Sequence, residues 1–346
     1  MKRLLAALCA IGPLATVCAG APADPVDARL PDYVPASVVS GELVAWGDGW
    51  IEDLWKLWGK AFAARHPGVS FRSFLKGTST AVGALYTSTA NIGLFGREIR
   101  PLEVVSWHRI FPGYDPLGFA VAGGGYDAFA KTSAPAILVN AENPIQRISL
   151  TQLDAMWSHD RKRGGAAPIT KWGQLGLTGE WADKPITIYG LDENTGTAQY
   201  LEARVLKEGR WSYNVKVPPG APESMYKGSG RDAADALVRA LETDKYAIGV
   251  AGFRNVTPKV KALAVAETDG GPFITGTRQT VLDRTYPLSR QIYIFVNKDP
   301  KKPWDPKIYE FLSFILSRQG QEAVAEEGGY LPLPASIIVA ERAKLK

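Results

Sequence analysis

The sequence predicts an α/β fold with a mainly parallel sheet. The strands ELVAWG (42–47) and VSFRSFL (69–75) each run into a polar turn and then into a helical pattern, and the strand NIGLFG (91–96) runs into a third polar turn. This recurring order of strand, polar turn and helix is typical of α/β proteins. The chain has 346 residues, enough for about two domains, and 46% of them are hydrophobic, as in folded globular proteins.

The elements follow from periodicity and from helix-ending residues. The helix after the first strand has one apolar stripe, predicted to be core, that contains Trp50, Leu54, Leu57, Trp58, Ala61 and Phe62. His66-Pro67-Gly68 ends it. Later elements are predicted at 81–88 (helix), 134–143 (strand), 149–158 (helix), 185–191 (strand), 227–253 (turn, helix and strand), 286–298 (strand) and 306–334 (two helices).

The first 23 residues are predicted to be a secretory signal peptide. Lys2 and Arg3 give a positive start, and an apolar run follows from residue 4 to residue 17. This run is too short for a membrane-spanning helix. Small residues end the segment, and we place cleavage after Ala23. The mature protein is therefore expected in the periplasm.

Both cysteines, Cys9 and Cys18, lie in this signal, so the predicted mature chain has neither a disulfide nor a thiolate metal site. Lipidation of Cys18 is an open alternative, although Val17 is bulkier than a lipobox usually allows. The mature chain would begin with a segment rich in proline and alanine, residues 24–40, which we expect to form a loose N-terminal strap.

Charge and motif content argue against several classes of partner and site, although spacing alone leaves a Ser–His–acid triad open. The net charge is +5, and it falls to +3 once Lys2 and Arg3 leave with the signal. No long basic run is present, so nucleic acid is not an expected partner. The histidines, His66, His108 and His159, lack metal-ligand spacing. Neither a G-x-S-x-G elbow nor a P-loop occurs, and we predict no catalytic residue, cofactor or metal.

Polar turns stand at the starts of predicted helices, at 48–50, 77–80, 96–98, 194–197 and 228–232. In an open parallel sheet such turns gather at the carboxyl edge of the strands. A helix N-terminus carries about half a positive charge and several unpaired N–H donors. Several such ends that converge predict an anion site that needs no lysine.

Eight segments in order carry a resemblance to a known family. They are HPGVSF, GTSTAVGAL, ANIGLFGREI, NPIQRISLTQLDAMWS, ITKWGQL, NTGT, YAIGVAGF and YPLSRQIYIFVNK. The set covers most of residues 42–334 and resembles the periplasmic phosphate-binding proteins of ABC transporters, which have the type II periplasmic binding protein fold. The resemblance implies two α/β lobes joined by two crossing strands, with a ligand held between the lobes.

The implied organisation divides the chain into discontinuous lobes. Lobe one is expected at 41–134 plus 297–346, lobe two at 141–287, and the hinge crossovers at 135–140 and 288–296. We expect a monomer that binds phosphate or a similar small oxyanion. Its partner would be the membrane permease of an ABC transporter.

The family's anion contacts can be transferred position by position, and the result is a divergent site. They fall on Asp48 and Gly49 in the first turn, Thr78, Ser79 and Thr80 in the second, Gly96 and Arg97 after the third strand, and Asn194, Thr195, Gly196 and Thr197 in lobe two. The family has a small hydroxyl residue at the first turn, an acid or serine where Gly96 stands, and an arginine near Leu191. An acid or hydroxyl and a guanidinium are thus missing from their usual places.

Each of these residues could also have a purely structural role. The turns at 78–80 and 195–197 could only cap their helices, and Asp48 is most simply an N-cap. Arg97 could clamp an anion through its two-pronged guanidinium or pair with Glu98 or Asp115.

A second arginine, Arg290, lies on the second crossing strand. There we expect a structural ion pair rather than a contact with the ligand.

The function has one main alternative, the same fold with a different anion or small carboxylate, in a sensing or accessory role. A hydrolase on this fold is the third class considered.

Overall fold

The structure, a computed structural model, describes residues 25–129, 131–193, 195–221 and 230–346. The predicted signal peptide and Asn194 therefore lie outside the described residues. The strands are β1 (Ser40–Gly47), β2 (Gly68–Phe74), β3 (Ile92–Phe95), β4 (Leu117–Gly123), β5 (Pro135–Asn140), β6 (Arg147–Ser149), β7 (Thr187–Tyr189), β8 (Val215–Lys216), β9 (Ala247–Gly252), β10 (Val260–Ala262), β11 (Ala264–Ala266) and β12 (Gln291–Val296). The α-helices are α1 (Glu52–Ala63), α2 (Ser79–Tyr86), α3 (Pro101–His108), α4 (Leu150–Trp157), α5 (Gly196–Arg204), α6 (Gly230–Thr243), α7 (Arg278–Leu282), α8 (Pro306–Ile315), α9 (Arg318–Glu327) and α10 (Ala335–Ala343).

Two mixed sheets form two lobes. In lobe one the order is β2-β1-β3-β12-β4, with β1 parallel to β2 and β3, and β12 antiparallel to β3 and β4. In lobe two the order is β10-β5-β9-β7-β8, with β7 parallel to β8 and β9, and β5 antiparallel to β9 and β10. The predicted α/β fold is confirmed. The sheets are mixed rather than mainly parallel because β5 and β12, the strands that follow the passages between lobes, run against their neighbours.

The expected crossover segments each belong to one sheet. Residues 135–140 form β5 in the second sheet, and most of 288–296 forms β12 in the first sheet. The chain therefore passes between the lobes just before each of these strands, and Arg290 lies directly before β12. The precise lobe boundaries stay predictions.

The apolar stripe of the first helix forms part of the core of lobe one. Leu54, Trp58 and Phe62 are fully buried, and the Trp58 indole N–H donates to the Gly320 carbonyl oxygen at 2.9 Å. Trp50, predicted in the same stripe, is 39% exposed, because it lies in a 3-10 turn before α1. This packing holds the first polar turn, which precedes α1, against the core of lobe one.

The N-terminal strap is anchored to lobe one rather than loose. The Val39 N–H donates to His66 Nδ1 at 3.3 Å, and His66 Nε2 lies 2.7 Å from the Tyr33 hydroxyl. Tyr33 in turn donates to Glu310 Oε2 at 2.7 Å, and two backbone N–H groups of the strap donate to Oε1 of the same carboxylate at 2.9 Å. This order of donors requires a neutral His66 with its proton on Nε2. A second proton on Nδ1 would face the Val39 N–H.

We expect this network to make the protein less stable in acid. Burial is the main cause that lowers the pKa of His66 from its ordinary value of 6.5, with Arg65 acting in the same direction and Glu310 against it. Because the unfolded chain binds the proton more readily, neutral His66 makes its full contribution to the free energy of unfolding above pH 6.5. That contribution is lost as the pH falls through the lowered pKa of the folded state. Urea unfolding at several pH values measures it.

The variant His66→Gln should flatten that pH dependence below pH 6.5. His159→Gln is the matched control, since the His159 side chain is 55% exposed and lies outside the network. If His66→Gln and His159→Gln gave the same slope of unfolding free energy against pH, the neutral His66 would not be the source of acid sensitivity.

Candidate anion site

Polar turns of lobe one end at the edge of the sheet that faces lobe two. Asp48 follows β1, Thr78 directly precedes α2, and Gly96 follows β3, whereas Gly196 opens α5 of lobe two. The hydroxyl oxygen of Thr78 lies 3.7 Å from the position that a Cβ on Gly196 would occupy. The second turn of lobe one and the turn at the start of α5 therefore meet across the cleft.

Asp48 is held in place by the end of β1. Gly47 has φ of +141°, and a Cβ there would collide with the backbone of Leu94, so glycine allows the Asp48 N–H to reach the Leu94 carbonyl oxygen at 2.9 Å. Asp48 Oδ1 accepts from the Trp50 N–H at 3.0 Å, which is the expected helix cap. Asp48 Oδ2 accepts from the Thr132 hydroxyl at 2.8 Å, and the side chain is buried.

The Asp48 carboxylate fills the space that a side chain on Gly96 would need. A Cβ at residue 96 would lie 2.7 Å from Thr132 Cγ2 and closer still to Asp48 Oδ2. The position at which the family has an acid or serine is thus occupied by a carboxylate from the first turn. Gly49, the next residue of that turn, is exposed.

The second turn offers one hydroxyl that faces lobe two. Thr78 is buried, and its hydroxyl has no hydrogen-bond partner among the residues that the structure describes. Thr80 donates its hydroxyl to the Gly77 carbonyl oxygen at 2.8 Å within the turn, and Ser79 is exposed at the first position of α2. Among these three residues, Thr78 is therefore the buried one, and its hydroxyl lacks a partner in the described part of the chain.

The two threonines of the turn that opens α5 have different hydrogen-bond partners. Thr195 Oγ1 accepts from the Ala198 N–H at 3.1 Å and donates to the Asp192 carbonyl oxygen at 2.8 Å, so Thr195 caps the helix. Thr197 Oγ1 instead accepts from Nη1 of Arg290 at 3.1 Å. The capping alternative is confirmed for Thr195, and Thr197 points toward a buried arginine.

Arg97 forms its ion pair with neither Glu98 nor Asp115, the two partners that the sequence suggested. Its Nη1 and Nη2 donate to the two carboxylate oxygens of Glu103, each at 2.8 Å, and its Nε donates to Gln199 Oε1 of lobe two at 2.9 Å. The surface pairing considered for Glu98 or Asp115 is replaced by this buried arrangement, although Nη1 also donates to the Glu98 carbonyl oxygen at 2.9 Å. The geometry favours Arg97 as a connector between lobes, and its contact with a ligand stays a prediction.

A second connection between the lobes lies beside Arg97. Arg100 of lobe one pairs with Glu202 on α5 and lies 3.5 Å from Glu208. Burial is the main cause that raises the pKa of Glu202 above its ordinary value. These pairs connect lobe one to lobe two.

Arg290 is the residue of this region that the sequence reasoning misjudged. It is 4% exposed, and its Nε donates to the Gly96 carbonyl oxygen at 3.0 Å; Nη2 donates to the same oxygen. Its guanidinium carbon lies 4.7 Å from the centre of the Tyr200 ring. The expected ion pair is not found: within the described ranges no carboxylate lies within 4.0 Å of Arg290. Burial lowers the pKa of Arg290 from its ordinary value.

Two kinds of site are not found in the part of the chain that the structure covers. No helix there combines the length and the apolar character needed to cross a membrane. Likewise, over the same residues, histidines, cysteines and carboxylates nowhere cluster in threes as a metal ion would need. The polar groups at the cleft are instead hydroxyls, a carboxylate and a guanidinium.

Two α/β lobes that meet through helix N-termini define the class of two-lobed binding proteins. A family model described as the PBP superfamily domain matches residues 35–319. The phosphate-binding protein PstS of Pseudomonas aeruginosa is 35% identical over 343 residues, which cover 99% of this chain and 98% of the relative. The chain therefore belongs to the PBP superfamily and, within it, to the PstS family of phosphate-binding proteins.

More distant relatives share the fold. The protein SphX of Synechococcus elongatus is 26% identical over 213 residues, or 59% of this chain and 55% of that protein. Among solved structures, an ABC-type phosphate transport receptor from Vibrio cholerae superposes with a TM-score of 0.56 at 19% identity, covering 84% of this chain and 99% of the receptor. PstS from Borrelia burgdorferi gives a TM-score of 0.56 at 14% identity, covering 85% of this chain and 99% of that protein.

Proposed function

We propose that this protein captures phosphate in the cleft between its lobes and delivers it to the permease of an ABC transporter. The 35% identity to a phosphate-binding protein along the full chain supports the ligand. The observation that carries the proposal is that polar groups from both lobes converge: Thr78 faces Gly196, and Thr197 meets Arg290 beside Gly96. Such a site binds an oxyanion by hydrogen bonds and closes over it.

The proposal extends to location and state. A signal peptide that ends at Ala23 would export the chain to the periplasm, where a monomer would shuttle between ligand and permease. The protein would be a carrier and not an enzyme, releasing its ligand unchanged. The alternative of another anion or a small carboxylate in a sensing role is less favoured, because the relative that matches the whole chain is a phosphate-binding protein.

Replacement of Thr197 by alanine tests the ligand contact. If the Thr197 hydroxyl binds the anion, Thr197→Ala should weaken phosphate binding by roughly ten- to a hundred-fold, the loss of one hydrogen bond to a charged group. The matched variant is Thr195→Ala, which removes a helix cap and should lower the free energy of unfolding by about 1 kcal/mol. Calorimetric titration and urea unfolding of both variants measure the two effects.

Thr197→Ala should therefore change mainly the affinity for phosphate, and Thr195→Ala mainly the free energy of unfolding. Thr197→Ala with the affinity of the native protein would remove Thr197 from the ligand shell. A native protein that binds sulfate or a small carboxylate but not phosphate, in the same titration, would replace the proposed ligand with the alternative.

A further inference from the structure

We propose that Arg290 supplies the cation of the ligand site and takes the place of the arginine missing near Leu191. The inference rests on the proposed function and names the residue that would recognise the charge of the anion. The structure gives three grounds: the burial of Arg290, its unused donors, and its position between the two lobes.

Burial without a carboxylate is the first ground. Arg290 is 4% exposed, and within the described residues its guanidinium contacts only a carbonyl oxygen, a hydroxyl and the face of an aromatic ring. A buried charge is costly unless an opposite charge or a full set of hydrogen bonds compensates it. The other deeply buried arginine of the cleft, Arg97, has such compensation in a bidentate pair with Glu103. Asp48 and Glu98 favour the charged form of Arg290 without forming an ion pair with it, so the described residues leave its guanidinium without a directly paired anion, which a bound oxyanion would supply.

Unused donors are the second ground. A guanidinium has five N–H donors. Nε and one N–H of Nη2 are taken by the Gly96 carbonyl oxygen, and one N–H of Nη1 by Thr197 Oγ1. One N–H on each of Nη1 and Nη2 remains without an acceptor among the residues that the structure describes. Two donors on neighbouring nitrogens can serve two oxygen atoms of one oxyanion, the geometry for which arginine is suited.

Position is the third ground. Gly96 belongs to lobe one, Thr197 to lobe two, and Arg290 directly precedes β12, where the chain returns to the first sheet. The guanidinium thus lies where both lobes can reach a ligand that it holds. Arg290 is also well fixed, since Gly124 donates its N–H to the Arg290 carbonyl oxygen at 2.8 Å. An anion on this guanidinium would be shared between the lobes and would favour their closed arrangement.

Two substitutions at this position test the role of the charge. Arg290→Met keeps much of the apolar length and removes the charge, and it should weaken phosphate binding by about 100-fold. Arg290→Lys keeps the charge and loses the two-pronged geometry, so its loss should be about ten-fold. Calorimetric titration with inorganic phosphate on native protein and both variants gives the order native, Lys, Met.

Arg163→Met is the matched control. Arg163 is also largely buried, burial likewise lowers its pKa, and its Nε donates to the Val205 carbonyl oxygen of lobe two at 2.7 Å. It takes no part in the cleft, so Arg163→Met should change stability and leave phosphate affinity within about three-fold. Equal losses in Arg290→Lys and Arg290→Met, or a native-like affinity of Arg290→Met, would overturn the proposal.

A spectroscopic measurement covers the case in which Arg290→Met does not fold. In native protein labelled with ¹⁵N-arginine, the Arg290 side-chain signals are those that are missing from the spectrum of Arg290→Lys. Phosphate should shift these signals. Unchanged signals at saturating phosphate would overturn the role of Arg290 and leave the proposed function standing. Native protein that shows no phosphate binding at all would overturn both.

Discussion

The variant Asp48→Asn should lose the preference for phosphate over sulfate by about 100-fold. Monohydrogen phosphate carries a proton that it can donate to a carboxylate. Sulfate near neutral pH has none, and the same buried carboxylate repels it. Asp48 is the carboxylate that stands at the family's acid position, because its Oδ2 occupies the space beside Gly96.

Asparagine keeps the helix cap of this turn, which makes the test specific. Asparagine caps a helix about as well as aspartate, so the bond to the Trp50 N–H is kept. We expect Asp48→Asn to melt at nearly the native temperature while it binds sulfate more tightly and phosphate less tightly. Competition between the two anions in calorimetric titrations measures the ratio. A native protein that binds both alike would show that no acid sorts them.

The variant Gly96→Ala should weaken phosphate binding by more than about ten-fold and lower the free energy of unfolding by about 1–3 kcal/mol. The new Cβ would lie 2.7 Å from Thr132 Cγ2 and would press on the Asp48 carboxylate. Either the hydrogen bond from Thr132 to Asp48 breaks or the Gly96 carbonyl moves away from Arg290. Both changes disturb the predicted ligand shell.

Gly113→Ala is the control for the general effect of adding a methyl group to lobe one. A Cβ at Gly113 meets nothing within 4 Å, so this variant should bind phosphate and unfold like the native protein. If Gly96→Ala behaved like Gly113→Ala in urea unfolding and in titration, Asp48 would not occupy the space assigned to it.

Short-range features of the sequence predicted the α/β class and the polar turns at the sheet edge, whereas the two lobes and the cleft between them were implied by the family resemblance. Strand, turn and helix patterns placed the turns at 77–80 and 194–197 at sheet edges, and the structure brings Thr78 within 3.7 Å of the Cβ position of Gly196. The cap role of Thr195 and the cap bond of Asp48 also follow from local residue types. These features depend on residues that are close along the chain.

Features that depend on distant residues could not be predicted. The Asp48 carboxylate can fill the space beside Gly96 only because β1 and β3 are neighbours in the sheet. Neither segment alone indicates that pairing. Arg290 stands between the polar residues Ser289 and Gln291, so the sequence shows neither its burial nor that no carboxylate pairs with it. The strap was expected to be loose because its partner, Glu310, lies 274 positions further on from Ala36.

Anomalous diffraction from a crystal soaked with arsenate, a heavier analogue of phosphate that also keeps a proton near neutral pH, tests the proposed anion site most directly. We predict one arsenic peak between the lobes, within hydrogen-bond distance of the Arg290 guanidinium and of Thr78 or Thr197. Added phosphate should abolish that peak. A peak elsewhere on the protein, or none in the cleft at arsenate concentrations that saturate binding in solution, would contradict the proposed site.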